Sequence, residues 1–217
     1  MIEVEIDSTA GFCPGVIRTI GSAESFLREH PGSSLYSLGA IVHNDSELER
    51  LGAMGLVQLD TEDLDEMPSA EGKTILVRAH GQPPKIFDTL HRLGFEIIDC
   101  TCPVVLGIQK KIREAKGDVI IYGKHGHPEV LGLVGQAKSR VRVVEDQLQA
   151  AQMLENDRPS EDCEIFSQTT MSPTGYAEVC ELLKSSLPAL KVHRTICKQV
   201  ANRHHDLESF ARKHDVI

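Results

Sequence analysis

The chain has 217 residues, of which 41% are hydrophobic, so it can bury a substantial core in one or two domains. Only 4% of the residues are aromatic and tryptophan is absent, which favours aliphatic α/β packing over a β-sandwich. The net charge of −9 argues against a broad nucleic-acid surface, and no apolar run approaches the length of a membrane span. The N-terminus does not resemble a signal peptide. We therefore expect a cytoplasmic protein, without nucleic-acid or membrane partners, whose six cysteines are thiols or metal ligands.

Hydrophobic patterns predict strands and helices in alternation along the chain. Predicted strands cover residues 2–6, 35–42, 74–79, 95–98, 119–122, 141–144, 164–166 and 192–196. Predicted helices follow Cys13, Cys102 and Cys197 and also cover residues 46–51, 84–93 and 173–187, while the acidic stretch 60–71 is the nearest approach to a linker. This alternation indicates small parallel sheets. We predict a first α/β domain over 1–100, a second over 101–193 and the start of a third over 194–217.

Three cysteines occur in one repeated context. Cys13, Cys102 and Cys197 each begin a Cys-x-x-Val motif, and each precedes a helical pattern. The spacing predicts a weak threefold internal repeat that presents one thiol at each strand-to-helix turn. A helix start favours the thiolate, the form that binds metals. Cys100, Cys163 and Cys180 lack this context and are expected in the core or on the surface.

Polar residues follow the predicted strands at equivalent positions. Ligands of parallel sheets bind beyond the carboxyl ends of the strands, so these residues are candidates for one site. They are His43, His80, His127, Glu129 and Thr169, together with the three repeated cysteines.

The residue types leave several chemistries open. Three thiolates can hold zinc with one open position or an iron–sulfur cluster with one open iron, or the cysteines can be small core residues. His125, His127 and Glu129 can ligate the zinc of a hydrolase; alternatively, His127 binds phosphate and Glu129 donates a proton. A non-catalytic α/β binding module is the third possibility.

The motifs resemble one enzyme family in order and over the whole chain. GFCPGV, VHN, RAHG, CTCP, GHPEV, QTT and the late cysteine are similar to those of the 4-hydroxy-3-methylbut-2-enyl diphosphate reductases, the LytB/IspH family. The resemblance implies a pseudo-threefold arrangement of α/β domains with small, mostly parallel sheets around a central cavity. It implies a [4Fe-4S] cluster held by Cys13, Cys102 and Cys197.

The same resemblance implies roles for the other residues. His43, His80 and His127 match residues that hold the substrate diphosphate or order the cavity, Glu129 matches the acid of a proton relay, and Thr169 matches the threonine beside it. The implied reaction is the reductive dehydroxylation of 4-hydroxy-3-methylbut-2-enyl diphosphate to isopentenyl and dimethylallyl diphosphate, the last step of the non-mevalonate isoprenoid pathway. The implied electron donor is ferredoxin, flavodoxin or a reducing system fed by NADPH.

Two features depart from the family pattern. The run after Cys197 keeps only part of a Thr-Asn-containing segment, and the family's late Ser-x-Asn motif and a further serine are absent from the printed sequence. The tripeptide DVI follows both Cys102 and Cys197, which predicts that the chain ends inside the first strand of a third unit. From the sequence alone we expect a truncated reductase with little or no turnover.

Overall fold

The computed structural model describes residues 4–7 and 10–215, apart from the side chains of His204 and His205. In this part of the chain, helices and short strands alternate. The helices are α1 (Pro14–Glu29), α2 (Asp45–Met54), α3 (Thr61–Glu66), α4 (Pro84–Leu93), α5 (Pro103–Glu114), α6 (Pro128–Val134), α7 (Gln147–Asn156), α8 (Pro173–Ser186) and α9 (Lys198–Ala211). The strands are β1 (Leu35–Leu38), β2 (Leu56–Leu59), β3 (Thr74–Val77), β4 (Glu96–Asp99), β5 (Val119–Tyr122), β6 (Val141–Val144), β7 (Glu164–Ser167) and β8 (Lys191–Val192).

The strands form two parallel four-stranded sheets with the same internal order. The first sheet has the order β2-β1-β3-β4, and the second has the order β6-β5-β7-β8. Every strand pair in both sheets is parallel. The predicted α/β class with small parallel sheets is therefore confirmed, and the common strand order shows that the chain repeats one α/β plan.

Burial explains which segments become inner strands. β3, β5 and β7 are buried at all four of their positions, as expected for parallel strands that are covered on both faces. β4, at an edge of the first sheet, is only partly buried. The carboxyl ends of the inner strands lead into the turns that carry the candidate residues.

The chain divides into two compact units. The sheet-1 unit comprises residues 14–115 and 126–138, and the sheet-2 unit comprises the rest of the chain. Two apolar clusters form the core of the first unit, and one forms the core of the second. Helix α6 belongs to the sheet-1 unit although it follows β5 of the second sheet. The predicted boundaries after residues 100 and 193, and the threefold arrangement around a cavity, remain predictions.

Some predicted elements were wrong. No strand forms over residues 4–6, where Val4 and Ile6 are each 82% exposed and pair with no strand among the described residues; residues 2 and 3 lie outside the described residues. The acidic stretch 60–71 contains α3, because Asp60 and Asp63 form a reciprocal capping box and Leu64 is buried. The strand predicted over 192–196 is limited to Lys191–Val192.

Three further elements were not predicted, and one prediction falls outside the description. Sequence analysis missed β2, α6 and α7. The end of the second DVI tripeptide, Val216 and Ile217, lies outside the described residues. No helix in the described part of the chain is long and apolar enough to cross a membrane.

The glycine before β5 provides a test of this packing. A Cβ at Gly117 would lie 2.2 Å from the carbonyl oxygen of Asp162, so Gly117→Ala must displace backbone. We expect a loss of about 2–3 kcal/mol in the free energy of unfolding, measured by urea denaturation. The control is Gly52→Ala in α2, where no atom lies within 4 Å and alanine should stabilise the helix by up to about 1 kcal/mol. Equal stability of the two variants would contradict the packing at Gly117.

Candidate active site

The cysteines fall into two structural classes. Cys13 directly precedes α1, and Cys102 and Cys197 are the N-cap residues of α5 and α9. Cys13 is exposed and the other two are partly exposed, whereas Cys100, Cys163 and Cys180 are buried. Burial raises the pKa of the Cys163 and Cys180 thiols. The predicted position of the three repeated cysteines at helix starts is therefore confirmed.

The turns that carry Cys102 and Cys197 are anchored in the same way. The backbone N–H of Cys102 donates to the carbonyl oxygen of Ala79 at 2.9 Å, beside His80. The backbone N–H of Cys197 donates to the carbonyl oxygen of Thr169, also at 2.9 Å. Each thiol is thus tied to the turn after the neighbouring strand of its own sheet, and that turn carries another candidate residue.

The sheet-1 unit brings the three candidate histidines together. The ring centroids of His43 and His80 are 6.2 Å apart, and those of His80 and His127 are 5.4 Å apart. His43 and His80 follow the neighbouring strands β1 and β3, as the parallel sheet predicts. His127 reaches the same place from the start of α6.

A glycine at the end of α6 lets this helix approach the turn after β3. A Cβ on Gly135 would lie 2.5 Å from the Pro83 side chain, closer than such atoms can approach, whereas a Cβ on Gly132 would make an ordinary contact at 3.5 Å with the carbonyl oxygen of His80. Gln136, just past the helix, donates its side-chain amide to the carbonyl oxygen of Gln82. This close contact explains why α6 belongs to the sheet-1 unit and how His127 comes to lie beside His80.

The first turn of α6 fixes the orientation of His127. As the N-cap residue, His127 accepts a hydrogen bond at its Nδ1 atom from the backbone N–H of Glu129, at 3.1 Å. Because Nδ1 is the acceptor, the proton of a neutral ring is on Nε2, which is the donor. Pro128 at the first helical position has no N–H to satisfy. The GHPEV motif is therefore a helix cap that presents one imidazole donor.

The environment of His80 keeps its ring neutral near pH 7. Burial, followed by the positive charge of Arg78 and the neighbouring rings of His127 and His43, lowers the pKa of His80 to about 4. Arg78 itself donates from Nη1 to the carbonyl oxygen of Ala40 at 2.8 Å. Among the described residues, Arg78 is thus held by a carbonyl oxygen rather than by a carboxylate, and the buried Nδ1 atom of His80 has no hydrogen-bond partner. The positive charge of Arg78 acts at the edge of the histidine cluster.

Glu129 and Thr169 are buried polar residues, one in each unit. Glu129 in α6 is 1% exposed, and Thr169 after β7 is 7% exposed. The turn of Thr169 is held by Gln168, whose side chain accepts from the backbone N–H of Lys124 and donates to Thr170. Both residues lie where the sequence analysis placed them, after β5 and β7.

His125 is held differently from its neighbour two residues later. His125 lies in the sheet-2 unit, is exposed, and has its ring 3.3 Å from the side-chain oxygen of Gln149. His127 and Glu129 lie in the sheet-1 unit. Across the described residues, no three His, Cys, Asp or Glu side chains are grouped closely enough to hold a metal ion. Cys13 and Cys197 belong to the sheet-2 unit and Cys102 to the sheet-1 unit, so their use as one ligand set remains a prediction.

Comparisons with known proteins identify the family. A family model described as LytB protein matches residues 4–217. The chain belongs to the LytB family. A relative from Bacteroides thetaiotaomicron, named 4-hydroxy-3-methylbut-2-enyl diphosphate reductase, is 41% identical and is matched over 100% of this chain and 75% of its own length. A relative of the same name from Chlorobium phaeovibrioides is 35% identical, over 100% of this chain and 76% of its own length.

Solved structures support the same assignment. The structure of E-1-hydroxy-2-methyl-but-2-enyl-4-diphosphate reductase from Plasmodium falciparum has a TM-score of 0.80 and 26% identity, over 94% of this chain and 63% of that one. A structure of (E)-4-hydroxy-3-methyl-but-2-enyl diphosphate reductase, titled the terminal enzyme of the non-mevalonate pathway, has a TM-score of 0.76 and 31% identity. It is matched over 99% of this chain and 75% of its own. The chain thus spans about three quarters of the curated relatives and 63% of the Plasmodium protein.

The family predicted from the sequence is confirmed, and the structure adds residues that the motifs did not single out. These residues are Arg78, which lies inside the RAHG motif, and Gln168, which lies inside the QTT motif; neither was named as a candidate site residue. The signal that could have found them is the polar residue type directly after a buried strand, the same signal that identified the histidines.

The buried, neutral His80 should make stability depend on pH. The unfolded chain protonates this ring near pH 6.5 and the folded chain only near pH 4, so protonation favours unfolding as the pH falls through this window. The loss is about 3 kcal/mol when the window has been crossed. We expect His80→Gln to lose less stability than the parent protein between pH 7 and pH 4 in urea unfolding. His91→Gln, at an exposed position of α4, is the control and should follow the parent; identical curves for all three proteins would contradict the assigned environment.

Proposed function

We propose that this LytB-family chain catalyses the reductive dehydroxylation of 4-hydroxy-3-methylbut-2-enyl diphosphate to isopentenyl and dimethylallyl diphosphate. The observation that carries the proposal is the cluster of His43, His80 and His127 next to the buried Glu129. Three separate motifs supply the histidines. The ring centroid of His80 lies 6.2 Å from that of His43 and 5.4 Å from that of His127. A group of imidazole donors beside a buried carboxyl group suits a substrate that has both an anionic end and a hydroxyl to be removed.

The histidines bind and orient the diphosphate in this proposal. The Nε2–H of His127 is the defined donor, because Nδ1 is engaged by its own helix. An anion beside His80 favours protonation of its ring, since it offsets the positive field of Arg78. Binding of the diphosphate is therefore coupled to proton uptake by the site, which strengthens the hydrogen bonds to the substrate.

Glu129 holds the proton that the leaving hydroxyl requires. Burial favours the neutral form of a carboxyl group, and Glu129 is 1% exposed, so it is suited to carry a proton into the site. Thr169 provides the hydroxyl that passes or orients this proton. The overall reaction consumes two electrons and two protons: the C–O bond breaks, the hydroxyl leaves as water, and the allylic fragment takes a proton at either end. The choice of end gives the two products.

The electron-transfer group is assigned to the three cysteines at helix starts. Their chemistry fits an iron–sulfur cluster, because they are accessible thiols at helix starts, unlike the three buried cysteines. Cys13, Cys102 and Cys197 would hold a [4Fe-4S] cluster with one iron free of a protein ligand. When bound, the cluster supplies single electrons and a Lewis-acidic iron for the substrate hydroxyl. Ferredoxin, flavodoxin or an NADPH-fed system is the proposed donor, and the cytoplasm is the proposed location.

The zinc-hydrolase alternative has less support. It requires His125, His127 and Glu129 to act as one ligand set, but the His125 ring lies next to Gln149. The relatives and solved structures are reductases, and this also argues against a non-catalytic binding module.

Removal of a proposed cluster ligand should abolish both colour and activity. After anaerobic purification we expect the parent protein to be brown and to contain iron and sulfide. Cys102→Ala should lose the visible absorption, the iron and the turnover together. Cys163→Ala, which alters a buried thiol, should retain all three and serves as the control. A parent protein that binds stoichiometric zinc and is colourless would refute the reductase assignment.

Replacement of Glu129 should separate proton delivery from cluster binding. Glu129→Gln has nearly the same shape but cannot supply the proton, so turnover should fall by about 10²–10⁴-fold. Iron and sulfide contents should match those of the parent protein. The measurement is steady-state turnover with a chemical reductant, alongside metal analysis. Undiminished turnover in this variant would exclude Glu129 as the proton donor.

A further inference from the structure

The turn before Cys102 is held by side chains to which neither the motifs nor the proposed chemistry assigns a role. One carboxylate oxygen of Asp99 accepts from the backbone N–H of Thr101 at 2.8 Å and from its hydroxyl at 2.5 Å. The Thr101 carbonyl oxygen accepts from Nη2 of Arg18 at 2.6 Å. Thr101 is 2% exposed, so its backbone and side-chain groups depend on these partners. The residue next to the thiol is therefore held from both sides.

The opposite wall of this turn is close-packed. A Cβ on Gly81, which has a φ of +71°, would lie 2.9 Å from the Thr101 methyl group and 2.6 Å from Nε2 of Gln109. The turn after β3 thus packs directly against Thr101. The backbone N–H of Cys102 donates to the carbonyl oxygen of Ala79 in that turn. Cys102 has little freedom to move once Thr101 is fixed.

Arg18 adds a charge as well as a hydrogen bond. It lies in the second turn of α1, the helix that begins directly after Cys13, and it reaches 83 residues along the chain to the turn of Cys102. A guanidinium that contacts the residue before Cys102 favours the more negative, reduced state of any redox group bound there. A hydrogen bond that only anchored α1 to the sheet would have no such electronic effect.

We propose that Arg18 is a positioning residue for Cys102, acting through the Thr101 carbonyl, and that its charge raises the reduction potential of the group bound by Cys102. Asp99 and Thr101 complete the clamp. The inference about the reduction potential rests on the proposed function, whereas the inference about positioning concerns the folded chain alone. The two parts therefore have separate measurements.

The positioning is tested by hydrogen exchange. We expect Arg18→Met to increase amide exchange in the peptide spanning 99–103 by at least about tenfold, while the β5 peptide 119–122 is unchanged. Arg28→Met is the matched control, because Arg28 lies in the same helix and its ion pair, among the described residues, is with Glu24 of that helix. Thr101→Val, which removes only the hydroxyl bond to Asp99, should give a smaller increase in the same peptide. No increase in either of these variants would overturn the clamp, with or without a bound cluster.

The electronic part is tested on anaerobically purified protein by spectroscopic redox titration and by release of iron to a chelator. Arg18→Met should lower the midpoint potential and release iron about 10–100-fold faster than the parent protein. Arg18→Lys keeps the charge and should restore the potential more completely than the release rate. An unchanged potential in Arg18→Met would refute the electronic role. A parent protein without iron would instead refute the proposed function, and the exchange experiment would still decide the positioning role.

Discussion

The geometry of the site depends on close backbone approach around the turn after β3. A Cβ on Gly135 would lie 2.5 Å from the Pro83 side chain, and a Cβ on Gly81 would lie 2.9 Å from the Thr101 methyl group. The lack of a side chain at Gly135 lets helix α6 pack against a turn of the first sheet, although α6 follows a strand of the second. This contact brings His127 to within 5.4 Å of His80. A well-packed interior does not accommodate an added methyl group without strain, so the position of His127 beside His80 depends on glycine at position 135.

The electrostatics of the cluster follow from the same packing. Three imidazoles in a row would repel one another if all were charged, and burial already disfavours charge on His80. Arg78 is held by a carbonyl group rather than a carboxylate, so its field is not cancelled within the described residues. The unit therefore has the neutral ring of His80 beside a positive group. Such a site gains most from an anion, which compensates the charge of Arg78 and permits His80 to protonate.

The sequence predicted the fold class and the candidate residues because both depend on local patterns. Helix α4 and strands β5 and β6 have the predicted bounds, since their hydrophobic periods and end residues agree. Short elements such as α3 and α6 were missed, because the acidic stretch 60–71 was compared with a linker and GHPEV was treated as a motif that ends a strand. The contact of α6 with the first sheet could not be predicted, because it depends on Gly135, whose role becomes visible only when distant segments of the chain meet. The strand expected near Val4 failed because alternation predicts a strand only where a partner is present.

The repeat has a chemical consequence as well as a structural one. In each sheet, a cysteine turn bonds through its backbone N–H to the turn of the adjacent strand, at Ala79 in one and at Thr169 in the other. A proposed ligand of the electron-carrying group is thereby tied to a turn that carries a residue proposed to bind the substrate or pass its proton. Reductive loss of a hydroxyl needs electrons and protons at one carbon–oxygen bond, and misplacement of either by about 1 Å slows such a reaction strongly. A backbone hydrogen bond between adjacent turns fixes each cysteine relative to its neighbour without the use of a side chain. In both sheets, the same backbone contact therefore joins a proposed cluster ligand to a turn with a proposed substrate or proton residue.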